Sequence, residues 1–143
     1  MPALSLDAAR TMIAAALEKA GDLDLNPLAV AVLDGGARIK AFEKQDGASV
    51  LRFEIAHGKA NGALAMGMGS RALFNRAQEQ PYFVGALNGL ADGALVPVPG
   101  GVLIRTAEGE IIGAVGVTGD ISDNDEICAI AGIEAAGLVA DAG

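Results

Sequence analysis

The chain has 143 residues, 52% of them hydrophobic, and a formal net charge of −8. Its length predicts one domain spanning residues 1–143 and built around one core. The negative charge repels phosphate backbones, and no basic stripe or aromatic platform offsets that repulsion. Nucleic acid is therefore not an expected partner.

No segment approaches the ~20 uninterrupted apolar residues of a membrane-spanning helix, so no membrane association is expected. The N-terminal sequence MPALSLDAARTMI lacks the basic start and apolar core of a secretory signal, which predicts a cytoplasmic protein. A single cysteine, Cys128, excludes an intramolecular disulfide and a multi-cysteine zinc site. Its apolar, helical neighbourhood indicates a buried structural thiol.

The first half of the chain predicts a helix, a hairpin and a second helix. Apolar residues recur at helical spacing after Ser5, the expected N-cap, and Gly21 is the expected stop. Two β-forming runs then flank the DGG turn at residues 34–36. A second helix is predicted from Ser49 to about Met66, and its internal glycines indicate close contact with another backbone.

The second half predicts further helices, a hairpin and a final helix. Two short helical segments are expected after Ser70, separated near Pro81. A hairpin turn at 107–110 joins the strand LVPVPGGVLIRT to the apolar strand IIGAVGVTG, both of whose faces are expected to be covered. Ser122 is predicted to cap the last helix, which extends to Leu138. Two hairpins without a helical crossover predict a mainly antiparallel sheet.

The glycine motifs do not match a phosphate-binding loop. Such a loop places glycines between a strand and a helix, so that amides at the helix N-terminus face the anion. The turn formed by Pro99, Gly100 and Gly101 instead precedes a strand, and the glycines of residues 113–119 lie along or just after one. That second pattern is typical of tight strand packing.

Acidic residues cluster at the start of the last helix, at Asp120, Asp123, Asp125 and Glu126. Several oxygens in one place suit a hard cation. Their position at a helix start favours the alternative that they cap the helix and interact with its dipole. A serine hydrolase is not indicated, because the chain has no G-x-S-x-G elbow.

His57 is the only histidine, and its ordinary pKa lies near neutrality. It is the natural candidate for an axial haem ligand or a general acid or base, although a lone histidine within a helix is more often structural. Two basic neighbours, Arg52 and Lys59, are candidates for binding a carboxylate or a haem propionate.

Several stretches, taken in order, resemble the GlcG/HbpS family, which includes haem-binding proteins, the glycolate-operon protein and a C-terminal module of a cobalamin adenosyltransferase. The similarity covers nearly the whole chain. The residues that carry it are Val32-Leu33-Asp34-Gly35-Gly36, Asp46-Gly47-Ala48, Ile55-Ala56, Lys59-Ala60, Pro99-Gly100-Gly101-Val102, the GAVGVTG stretch at 113–119, Asp125-Glu126, Ala129 and Ala131-Gly132.

The resemblance implies an α/β (α+β) fold with a five-stranded, mainly antiparallel, profilin-like sheet flanked by helices. The residues themselves indicate four strands, so the fifth is expected in Gly93–Val98. The resemblance also implies a homo-oligomer, a dimer or larger closed assembly, with the glycine-rich second helix as a contact surface. His57 stands at a variable position of the family pattern, and Leu103 replaces a more usual proline.

Two functions of different classes follow. The first is an oligomeric ligand-binding protein for haem or a related flat, apolar small molecule, with His57 as metal ligand only if haem is bound. Haem needs an axial ligand and an apolar slot. The side chains of suitable type are His57, Met66, Met68 and Tyr82.

The second function is an enzyme, or an enzyme accessory, acting on a small carboxylate metabolite. In this hypothesis backbone amides of the turn at residues 99–101 receive the carboxylate. Arg52, His57 or Arg71 would complete the site, with Asp34 as a base. A structural subunit without a ligand is a third hypothesis, since fold alone does not determine function.

Overall fold

The computed structural model describes residues 3–143, which form five helices and five strands. The strands build one sheet in the order β2-β1-β4-β3-β5, and every neighbouring pair is antiparallel. The predicted α+β class with a five-stranded antiparallel sheet is thus confirmed. In chain order the elements are α1 (Leu6–Asp22), β1 (Ala29–Asp34), β2 (Ile39–Lys44), α2 (Arg52–Met66), α3 (Ser70–Glu79), α4 (Pro81–Leu90), β3 (Gly101–Arg105), β4 (Ile111–Thr118), α5 (Ser122–Ala135) and β5 (Val139–Asp141).

Helices cover both faces of the sheet. Helices α1 and α5 pack together on one face, and α2 lies on the other, against β1, β3 and β4. Successive residues of a strand point to opposite faces, so Val30 and Val32 face α1 and α5 while Ala31 and Leu33 face the α2 side. Coverage on both faces explains why β1 and β4 are almost entirely apolar, as predicted for β4.

Glycines allow α2 to lie directly on the sheet. A Cβ atom at Gly116 would collide with the Ala56 carbonyl, and one at Gly101 would collide with the Lys59 carbonyl. Both glycines therefore serve close backbone packing, as the sequence predicted for Gly116 but not for Gly101.

The predicted start of α1 is confirmed, but that of α2 is wrong. The Ser5 Oγ atom accepts a hydrogen bond of 3.1 Å from the Ala8 amide, and α1 continues one residue past Gly21. Helix α2 begins at Arg52, three residues after the expected Ser49. Ser49 instead belongs to a preceding turn, where its carbonyl accepts the Arg52 amide and its Oγ accepts the Arg52 Nε–H.

The fifth strand is not Gly93–Val98, as expected, but β5 at Val139–Asp141. Pro97 lies within the earlier segment and lacks an amide donor, which makes that segment a poor strand. That segment runs along α2 instead: the Val96 amide donates to the Gly58 carbonyl at 3.1 Å, and Leu95 packs over Gly62. The glycines of α2 are consequently covered by their own chain at these two positions and do not provide the expected subunit contact there.

The last helix also differs from the prediction. Ser122 is its first residue, and Ile121 occupies the N-cap position, where no side-chain cap bond forms. The helix ends at Ala135, so Leu138 lies outside it. Gly137, at φ 76°, lies in the reversal that brings the chain back as β5.

Helices α3 and α4 match the two predicted helical segments and their break. Pro81 is the first residue of α4, a position where the missing proline N–H has no helical acceptor to lose. Among the helices in residues 3–143, none is both long enough and apolar enough to cross a lipid bilayer.

Candidate ligand-binding site

The aromatic patch, formed by Phe42, Phe53 and His57, lies where the first half of α2 passes the edge strand β2. The His57 ring stacks on Phe53, with ring centroids 5.8 Å apart and an interplanar angle of 23°. Phe42 projects from β2 and meets Phe53 edge to face at 4.9 Å. All three side chains are half-buried. The patch is thus an apolar surface with an imidazole at one side.

Arg52 lies beside this patch at the start of α2. Its Nη1 atom donates to the Thr118 hydroxyl at 2.8 Å, and its Nε donates to the Ser49 hydroxyl at 3.1 Å. These bonds to the end of β4 and to the preceding turn hold the guanidinium in one orientation. Its partners are neutral hydroxyls, so its charge is not neutralised by them.

Lys59 is enclosed, with 2% of its surface exposed. Its Nζ atom donates to the Val117 carbonyl at 2.9 Å and to Asp125 Oδ2 at 3.1 Å. Burial lowers the pKa of Lys59 and raises the pKa of Asp125, while the contact between them opposes both shifts. The pair joins α2 to α5 across the end of β4.

The Pro99, Gly100 and Gly101 turn covers Lys59 and is itself buried. Gly100, at φ 123°, leaves no room for a Cβ atom next to the Lys59 Nζ atom. The Gly101 amide donates to the Ser70 hydroxyl at 2.7 Å. One of the amides expected to receive a carboxylate is therefore already bonded within the chain.

The structure brings together some candidate residues and separates others. Arg52, Lys59 and the 99–101 turn surround the end of β4, near Thr118. Asp34 lies at the opposite end of β1, about 17 Å away by strand rise. Its carboxylate accepts the amides of Gly36 and Arg38 in the hairpin turn.

The other side chains of haem-ligand type are remote from the patch. Met66 lies nine residues beyond His57 on α2, roughly 13 Å along the helix, and Met68 follows that helix. Tyr82 is 76% exposed on α4, and the main contacts of α4 in the described part of the chain are with α3.

Arg71 and the acidic cluster form a separate surface. Arg71 bonds Glu126 through Nε at 3.0 Å and also bonds Asp123, and these two carboxylates raise its pKa. Asp120 Oδ1 accepts the amide of Ile121, the N-cap residue, and no side chain caps the first turn of α5. Of the two predicted helical roles, only the placement of acidic residues in that first turn is observed. Across residues 3–143 no group of three or more His, Cys, Asp or Glu side chains is placed to hold a metal ion.

Sequence reasoning missed the two phenylalanines. Phe53 precedes His57 by four residues, so their contact follows from helical spacing. Phe42 comes from a different element, and only the pairing of β2 with β1 places it beside the helix. No local sequence signal marked it.

A family model described as haem degrading protein HbpS-like matches residues 4–134. The chain belongs to the HbpS-like family.

Solved structures agree with this assignment. A PduOC:heme complex superposes with a TM-score of 0.85 at 26% identity, covering 96% of this chain and 97% of the other. The Klebsiella pneumoniae protein ORFY gives 0.85 at 25% identity, covering 94% and 90%. HbpS gives 0.80 at 28% identity, also covering 94% and 90%. No curated protein matches the sequence.

Several of the residues that carry the resemblance to the HbpS-like family meet at one place in this fold, whereas the Asp34-Gly35-Gly36 turn lies at the other end of β1. Gly101 and Gly116 allow the backbone of α2 to contact the sheet, and Lys59 pairs with Asp125 beneath the 99–101 turn. These family motifs therefore build the junction between α2, β4 and α5. The aromatic patch lies on the outer side of the same helix, next to this junction.

Proposed function

We propose that the chain binds haem, or a related planar and largely apolar small molecule, on the aromatic patch, and that it does so as a cytoplasmic homo-oligomer. The observation that carries the proposal is the half-buried His57 imidazole, stacked on Phe53 with Arg52 beside it. Membership of the HbpS-like family and the similarity to a protein solved with heme support the choice of ligand.

The residues of the patch fit the chemical demands of haem. Within residues 3–143 no hydrogen bond engages the His57 ring, so a ring nitrogen is available as a metal ligand. Haem, if bound, would supply an iron, and His57 would be the side chain that offers it a nitrogen ligand. Phe42 and Phe53 provide apolar contact for a macrocycle, and Arg52 provides a cation for an acidic group.

A second copy of the chain would complete the site. In one chain the patch is an open surface, and five cavities in residues 3–143 are lined by residues other than His57. Just before α2, Val50 is 91% exposed and Leu51 is 60% exposed. Adjoining apolar surface of this kind is typical of subunit contacts, and a symmetric dimer is the commonest arrangement.

The alternative function, an enzyme or enzyme accessory acting on a small carboxylate metabolite, has weaker support from the geometry. Its expected receptor, the 99–101 turn, is buried, and its Gly101 amide is bonded to Ser70. Lys59 is paired with Asp125. Among the cations considered for carboxylate binding, Lys59 and Arg71 are paired with carboxylates, and Arg52 has no acidic partner among the described residues.

The test is a haemin titration of the purified protein, followed by its Soret band, with native mass measured in parallel. We expect saturable binding to a discrete oligomer. His57→Ala should change the Soret position and weaken binding, because the axial nitrogen is lost. Glu54→Gln, on the exposed side of α2, is the matched control and should bind as the unaltered chain does. Haemin that shows no saturable spectral change with the unaltered chain would refute the proposal.

A further inference from the structure

Two cations mark the ends of one row of residues across the sheet, the cationic row, next to the aromatic patch: Lys44 belongs to the row, and Arg52 of α2 is bonded to its other end. Lys44 on β2 is paired in register with Ala29 on β1, which is paired with Thr118 on β4. Arg52 bonds that threonine. With neighbouring strands about 4.8 Å apart, the two ends of this row are roughly 10 Å from each other.

Phe42 and Phe53 form a second row, the aromatic row, which lies next to the cationic row. Phe42 precedes Lys44 by two residues on the same strand, so both residues belong to the same face of β2, about 7 Å apart. Phe42 packs against Phe53, the residue that follows Arg52 on α2. The aromatic row and the cationic row therefore run side by side over the α2 side of the sheet.

Lys44 is accessible, unlike Lys59. It is exposed, it has no ion-pair partner among residues 3–143, and it lines a cavity of about 480 Å³ together with Leu25, Pro27, Gln45 and Asp46. Asp46 is the acidic side chain in that lining, and it is also exposed. A ligand carboxylate can reach the Lys44 ammonium from solvent without breaking an existing bond.

We infer that Lys44 and Arg52 bind the carboxylates of a planar ligand that carries its acidic groups along one edge. This inference rests on the proposed function and adds the ligand class to it: the apolar ring covers Phe42 and Phe53, and the acidic edge lies over the neighbouring cationic row. A neutral ring of the same shape gains only the aromatic contact. Lys44 therefore takes the role that the sequence suggested for Lys59.

Three probes separate this inference from the proposed function. Haemin has the iron, the ring and the carboxylates; its dimethyl ester lacks the free carboxylates; metal-free protoporphyrin lacks the iron and is followed by fluorescence. Each is titrated into the unaltered chain, Lys44→Gln, Lys44→Arg and His57→Ala. Lys40→Gln is the matched control, because Lys40 is an exposed lysine of the same strand that lies towards its other end.

We expect Lys44→Gln to weaken haemin and protoporphyrin by about tenfold, the usual scale of one charge-assisted hydrogen bond. It should leave the dimethyl ester unchanged, Lys44→Arg should restore binding, and Lys40→Gln should have no effect. His57→Ala should weaken the two iron-containing probes more than the metal-free one. Haemin binding that Lys44→Gln leaves intact, while His57→Ala abolishes it, overturns this inference and leaves the proposed function standing. Absence of any Soret change with the unaltered chain overturns both.

Discussion

The two faces of the sheet are packed by different means. On the α1 and α5 face, long side chains such as Met12, Ile13 and Ile133 fill the space between helices and strands. On the α2 face the helix contributes the small residues Ala56, Ala60 and Ala63 to the core, and the strands contribute Leu33 and Leu103. At the strand glycines the helix backbone touches the sheet. Long side chains from both layers build the first face, whereas on the second the helix supplies small residues and part of the contact is between backbones.

This difference explains where the candidate site lies. Because α2 lies so close to the sheet, Phe53 on the helix comes within reach of Phe42 on the edge strand. A helix held away by a layer of leucines would separate the two rings and bury the space between them. The α2 face, called the thin face below, therefore places functional side chains at its margin. The face covered by α1 and α5, called the thick face, supplies most of the apolar burial.

The largest expected effect is that of Gly116→Ala. The added Cβ atom would collide with the Ala56 carbonyl, and a backbone contact cannot yield as a flexible side chain can. We expect a loss of more than about 4 kcal/mol, a large fraction of the roughly 5–15 kcal/mol by which a native protein is usually stable. Circular dichroism and urea unfolding measure it.

The control for Gly116→Ala is Gly85→Ala on α4, where a Cβ atom meets nothing within 4 Å. Alanine favours the helix by roughly 0.5–1 kcal/mol over glycine, so this variant should be as stable as the unaltered chain or slightly more stable. If Gly116→Ala unfolds at the same urea concentration as Gly85→Ala, the backbone contact described for the α2 face is wrong.

The second prediction concerns Lys59 and Asp125, the charged pair that joins the helices of the two faces at the end of β4. Lys59→Met leaves Asp125 buried without its cation and should lower the free energy of unfolding by about 3–5 kcal/mol. The double variant Lys59→Met with Asp125→Leu removes both charges and should recover much of that loss. Urea unfolding at neutral pH compares the three chains; a double variant no more stable than the single one would contradict a charge-based cause.

The same pair predicts a pH dependence. Burial lowers the pKa of Lys59 below the ordinary lysine value of 10.5. As the pH falls below 10.5, the unfolded chain therefore takes up this proton before the folded chain does, and stability falls until the pH reaches the pKa of Lys59 in the folded chain. Burial raises the pKa of Asp125, so the folded chain takes up that proton first, and stability rises as the pH falls towards 3.8. Subtracting the curve of the double variant isolates both contributions; a flat difference between the two curves would count against them.

The third prediction tests the thick face through Cys128. Burial raises the pKa of its thiol from 9.0 to about 11, so the unfolded chain loses the proton first as the pH rises. Stability should therefore fall between pH 9 and 11, by at most about 2–3 kcal/mol. The readout is urea unfolding across that range, compared with Cys128→Ala. An equal alkaline loss in the alanine variant would assign the effect to other groups.

Much of the fold could be predicted from local patterns. The Ser5 cap, both hairpin turns and the apolar β4 depend on neighbours in sequence, and all are confirmed. The fifth strand could not be predicted, because Val139–Asp141 has only three residues and owes its conformation to pairing with β3. Contacts with α2 determine the path of Gly93–Val98, the segment expected to form that strand.

The candidate site was less accessible to sequence reasoning. His57 and Arg52 were identified by residue type, and their placement beside an aromatic surface depends on Phe42, from another element. Lys59 was chosen for its charge, whereas the structure encloses it against Asp125, 66 positions further along the chain. Contacts over such separations depend on how the elements pack and leave no local sequence pattern.

The smallest expected effects come from a matched pair of core substitutions, one on each face. Ile13→Val removes one methylene from the thick face, where neighbouring side chains can adjust, and should cost about 0.5–1.5 kcal/mol. Ala60→Val adds two carbons to the thin face, where the helix backbone has no such freedom, and should cost roughly 1–3 kcal/mol. Thermal and urea unfolding rank the two variants. If removing a methylene proves worse than adding two carbons, the α2 face holds free volume, and the tight seating that brings Phe53 to Phe42 would need another cause.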